Sequence, residues 1–130
     1  MRMKLLLKNI GFLIFGIIIG MIVNIGLIII GGTIFPLPEK FEPMDAIHWD
    51  IKYFLFPFLA HSIGTFSGAF IASKLSKNFH IIIPIIVGLY FLSGGIYMVM
   101  ILPAPTWFLC LDLIVCYLPM ALLGWSFNKK

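Results

Sequence analysis

Four uninterrupted apolar runs, at residues 10–30, 53–72, 81–102 and 107–127, constrain what this chain can fold into. Each holds about the 20 residues that an α-helix needs to cross the hydrocarbon core of a bilayer. Helix is the expected form, because backbone in lipid must satisfy its own hydrogen bonds. The runs also lack the apolar–polar alternation of a membrane barrel. The expected fold is therefore all-α: an antiparallel bundle of four transmembrane helices, one membrane domain over residues 1–130, with a long connection at 32–52. Composition agrees, since 62% of residues are hydrophobic and 11% charged. A soluble domain of this size exposes too much of its surface to hide that apolar area. A cleaved secretory signal is not expected, because the first run is long and ends in Gly31-Gly32-Thr33 without an A-x-A-like site.

Charge gives a direction. Arg2, Lys4 and Lys8 precede the first run, Lys74 and Lys77 separate the second from the third, and Lys129 and Lys130 close the chain. Four spans put these seven on one side, while Lys40 and Lys52 fall on the other beside Glu39, Glu42, Asp45 and Asp50. The positive-inside rule then makes both ends cytoplasmic. Basic groups flanking apolar runs suit anionic headgroups, so the bilayer is the expected partner and nucleic acid is not. Trp49, Tyr53 and Trp107 mark the outer interface and Trp125 the inner one.

The turns at 73–80 and at Pro103-Ala104-Pro105-Thr106 are short enough to make antiparallel hairpins. In the outer connection Pro36, Pro38 and Pro43 favour extended chain. Asp45 is expected to cap a helix that starts at Ala46 and runs into the second span, bent at Pro57.

Within the spans, small residues recur every four positions. Ala60, Gly64, Gly68 and Ala72 stripe the second run, and Gly16 and Gly20, followed by Asn24, stripe the first. Helices in lipid associate by close backbone approach over such residues, so the two stripes are expected to face each other. Gly88 and Gly95 share one face of the third run and are expected to serve likewise.

The polar residues are rarer and more telling. Counting 1.5 Å per residue, Asn24 lies about 10 Å, His61 about 12 Å and Asp112 about 8 Å below the outer ends of their helices. Asp112 is the only acid inside a run. A carboxylate at that depth costs several kcal/mol unless paired, and His61, turned inward by the small-residue stripe, is its natural partner. An intramembrane polar site of Asn24, His61, Thr65 and Asp112 is therefore expected, either as a structural clasp or as a functional centre. Cys116 and Pro119 are expected on the Asp112 face and Cys110 away from it. The two cysteines, six apart on one helix, cannot bridge and read as small apolar filler.

Other signals are thinner. His48, Asp50 and Asp45 lack a complete metal-ligand spacing and read as a solvated histidine beside a cap. No nucleophile elbow, phosphate loop or H-E-x-x-H occurs, so no catalytic residue, metal or cofactor is expected. Gly64-Thr65-Phe66-Ser67 is similar to a fragment of the fluoride-channel signature, but it lies in the second span, whereas that motif lies in the third. The seven-to-two charge bias also departs from those channels.

Phe35-Pro36, the segment Leu-Ala-His-x-x-Gly-Thr-x-x-Gly-Ala at 59–69, Gly94-Gly95-Ile96, and Pro103-x-Pro105-x-Trp107 together cover most of the chain. On these residues it resembles a group of uncharacterised bacterial four-span membrane proteins. The resemblance implies a bacterial inner membrane and carries no known activity. The leading expectation is a non-enzymatic protein that acts by association, as a homo-oligomer or with a larger membrane partner. The alternatives are a proton- or ion-coupled carrier or channel using His61 and Asp112, and a membrane enzyme with His61 as general base.

Overall fold

The computed structural model describes residues 1–76 and 81–128. Lys77 and His80, and the closing Lys129 and Lys130, lie outside the described residues. The elements are α1 (Arg2–Ile34), a 3-10 turn (Ile51–Phe54), α2 (Leu55–Leu75), α3 (Ile82–Ile101), α4 (Thr106–Val115) and α5 (Leu118–Ser126). α1, α3, the 3-10 turn with α2, and α4 with α5 are each long and apolar enough to cross a membrane.

α1 is longer than its apolar run. Nothing in residues 2–9 breaks a helix, and the chain leaves it only at Phe35, before Pro36, where the α conformation is disfavoured. Its 33 residues extend about 50 Å, against about 30 Å of hydrocarbon core.

The connection to α2 departs from the helix expected from Ala46. The Asp45 carboxylate accepts the Ile47 N–H at 3.1 Å, a local turn that competes with helix initiation. Ala46 donates its N–H to the Pro103 carbonyl at 2.8 Å, tying this connection to the α3–α4 turn. The helix therefore starts only at Ile51, as a 3-10 turn. Pro57 stands third in α2, in the first turn, where its missing N–H has no intrahelical partner to lose. Ala46, Phe54 and Phe108 pack together here, with Trp49 against them, and roof the bundle at this end.

α1 and α2 meet along the small-residue stripes. A Cβ on Gly16 would lie 2.6 Å from the Gly68 carbonyl oxygen, and one on Gly20 2.6 Å from that of Gly64. The reverse distances, from Gly64 to the Gly20 oxygen and from Gly68 to that of Gly16, are both 2.9 Å. Ala60 and Ala72 are fully buried in the same stripe. Backbones this close leave no room for a side chain, and the small-residue seam is what permits it. Gly95 likewise lies against the Tyr117 ring and Gly88 against Leu118 and Ala121.

The fourth run is not one continuous helix. Pro119 has no N–H to donate to Val115, so the ladder breaks and Tyr117 adopts φ −110, ψ −83 between α4 and α5. The break corrects the expected face: Cys116 is buried beside Asp112, but Pro119 is exposed and Tyr117 turns inward instead. Cys110 is exposed. Residues Ala69, Ala72, Val87, Phe91, Cys116, Tyr117 and Ala121 form the core where α2, α3 and α5 meet.

Replacing Gly20 or Gly64 with Leu is expected to destabilise the bundle by about 1–3 kcal/mol, because the seam must open. Gly26→Leu, on the same helix with nothing within 4 Å of its Cβ position, should stay within about 0.5 kcal/mol. Thermal unfolding in detergent checks this. Equal losses at all three positions would contradict the seam.

Candidate functional site

α2 sets the imidazole of His61 against α4. Thr65 donates its hydroxyl to the His61 carbonyl at 2.7 Å, and Ser62 to that of Phe58 at 2.7 Å. Both hydroxyls are thus satisfied on their own helix, as membrane Ser and Thr commonly are. From α4 the Asp112 carboxylate reaches across: its Oδ1 lies 2.6 Å from His61 Nδ1. Its Oδ2 accepts the Tyr117 hydroxyl at 3.0 Å. The His61 and Tyr117 rings stack at 29° with centroids 5.8 Å apart. Asp112 is 5% exposed, so both oxygens need these partners.

A carboxylate only accepts, so against an ionised Asp112 the His61 Nδ1 carries the hydrogen, and the imidazole in that neutral tautomer offers Nε2 as an acceptor. Among the described residues Nε2 has no hydrogen-bond partner, nor does any lysine or arginine pair with Asp112. One imidazole N–H and one phenol offset the several kcal/mol that burying a carboxylate costs.

The expected four-residue site is therefore only partly assembled. His61 and Asp112 are joined. Thr65, fully buried, serves the His61 carbonyl and makes no bond to the carboxylate. Asn24 stands across from Gly64, its Cβ 3.1 Å from where a Gly64 Cβ would be, and its amide bonds to neither His61 nor Asp112. Tyr117 takes the role expected of Asn24 and Thr65. Five residues beyond Asp112, it would point about 140° away on a regular helix. The break before Pro119 turns it inward, and that proline was the available signal. Elsewhere, His48 is exposed, and no group of three or more metal-ligating side chains occurs among the described residues.

Two cavities flank the cluster. One, of about 110 Å³, runs from Ala46, Trp49 and Ala104 at the roof down to His61 and Asp112. The other, of about 490 Å³, lies between α1 and α3 and is lined by Asn24, His61, Ser93 and Tyr117 among apolar neighbours. In the opposite direction the core around Ala72, Val87 and Ala121 is closed, each residue being buried. Compared with models of protein families, with curated proteins and with solved structures, the chain matches none.

Tyr117→Phe removes a donor from a buried carboxylate and is expected to cost about 1–3 kcal/mol of stability. Asn24→Leu breaks no hydrogen bond of the cluster and should cost far less. Unfolding of the two variants in the same detergent checks this, and equal losses would contradict the assigned roles.

Proposed function

We propose that this small multi-pass membrane protein acts through the His61–Asp112–Tyr117 cluster, as a proton-coupled carrier whose site opens toward the outer side. One observation carries the reading: the cluster is buried yet reachable. A clasp that serves structure alone needs no cavity on either side of it and no bare nitrogen. Here Nε2 has no hydrogen-bond partner among the described residues, and His61 lines both cavities. A proton taken up at Nε2 would change the cluster's net charge by one while the bond to Asp112 is kept. That change alters the cost of holding a charged or polar solute beside it, which is the physical basis of coupling. The packed core on the other side supports a carrier that must rearrange to pass its load, in preference to an open channel.

The outer side is inferred from the seven-to-two distribution of lysine and arginine, with both ends cytoplasmic in a bacterial inner membrane. A second reading, action by association with itself or a larger membrane partner, draws on α1, which leaves most of its apolar surface uncovered.

Accessibility of His61 tests the proposal. Diethylpyrocarbonate added to sealed right-side-out vesicles should modify His61 as well as the exposed His48, read residue by residue by mass spectrometry. His48 modified to completion with His61 untouched would identify a sealed clasp and contradict the carrier.

A further inference from the structure

The larger cavity exists because the seam holds α1 to α2 and leaves it almost clear of α3. The Tyr90 hydroxyl, 3.5 Å from Met21 Sδ, bridges the gap. Along the rest, Tyr90, Gly94, Tyr97 and Met98 on α3 and Met21 on α1 line the opening and are exposed. Tyr90 and Met98 are about 12 Å apart along the helix axis, a length that lies inside an apolar span. What meets this opening is therefore lipid and not water. Gly94 keeps it wide, with nothing within 4 Å of its Cβ position.

The wall is mainly apolar, interrupted by the hydroxyls of Tyr90, Ser93 and Tyr97, and His61 and Asn24 add ring and amide polar groups. His61 offers Nε2 as an acceptor, and the Asn24 amide, with no hydrogen bond among the described residues, offers a donor and an acceptor. Among the described residues no lysine, arginine, aspartate or glutamate lines the cavity. A phosphate-bearing head would enter with no counter-charge, at the high cost of an unpaired ion in an apolar setting. A hydroxyl can instead donate to Nε2 while a neighbouring ester carbonyl accepts from Asn24. The volume of about 490 Å³ is that of a small-molecule site, enough for a glycerol-ester head whose chains remain in the bilayer.

We infer that the cavity between α1 and α3 binds a neutral, hydroxyl-bearing lipid that enters sideways from the bilayer, its head on His61 Nε2 and Asn24. The inference rests on the reading of His61 as an accessible centre, and it adds the ligand class and the route.

Photo-crosslinking in nanodiscs tests it, with a diazirine-bearing diacylglycerol as the probe and the phosphatidic acid of identical chains as the charged control. Diacylglycerol should label residues 21–24 and 90–98, and phosphatidic acid should not. Asn24→Leu should lower that labelling roughly tenfold, the weight of one lost hydrogen bond. Gly94→Trp, which fills the cavity from an open position, should abolish it. Equal labelling by phosphatidic acid, or diacylglycerol labelling spread evenly over the exposed helix faces and unchanged in both variants, would overturn the inference. If His61 of the same wild-type preparation reacts with diethylpyrocarbonate, that failure falls on the ligand class alone. An unreactive His61 together with unfocused labelling would overturn the carrier reading as well.

Discussion

Asp112 puts a carboxylate where no lysine or arginine among the described residues pairs with it, and three elements are arranged around that cost. α2 brings His61 to one oxygen, and the broken turn between α4 and α5 brings Tyr117 to the other. Removing either partner would leave a buried carboxylate oxygen unsatisfied, a loss of about 1–3 kcal/mol. The same bonds have a chemical consequence. By fixing the proton on Nδ1, Asp112 leaves Nε2 bare, so an interaction that stabilises the bundle also prepares an acceptor beside a cavity.

The glycine seam governs access. Because Gly16, Gly20, Gly64 and Gly68 bring α1 and α2 together at backbone contact, α1 is held by one neighbour and stands off from α3. A larger residue in the seam would push α1 outward, and a smaller gap to α3 would close the cavity over His61. The roof of Ala46, Phe54 and Phe108 limits approach from the other direction, tied down by the bond from Ala46 to Pro103. Stability and access are thus set by the same two contacts.

Much of this was legible in the residues because it depends on periodicity and depth. Runs of about 20 apolar residues specify spans whatever the neighbours do. Counting along two helices brings His61 and Asp112 to one level, and the structure has them 2.6 Å apart. What was not legible depends on single local events. Pro119 reads as one more residue on an apolar face until its missing N–H is traced to Val115, and only that break brings in Tyr117. Asn24 shares the depth of the cluster but not its direction, which depth alone cannot tell. Asp45 has the chemistry of a helix cap and spends it on the Ile47 amide, two residues on, because Ala46 is pinned to Pro103.

The chemistry of the cluster turns on Asp112 fixing the tautomer of His61 and leaving Nε2 as the acceptor. Nitrogen-15 NMR of the histidine side chains, in the full chain in nanodiscs, reads this directly, with His61 assigned by its loss in His61→Gln. The expected result is a His61 imidazole with its hydrogen on Nδ1, a preference lost in Asp112→Asn. A His61 protonated on Nε2, or one whose tautomer is the same with and without the Asp112 carboxylate, would contradict it.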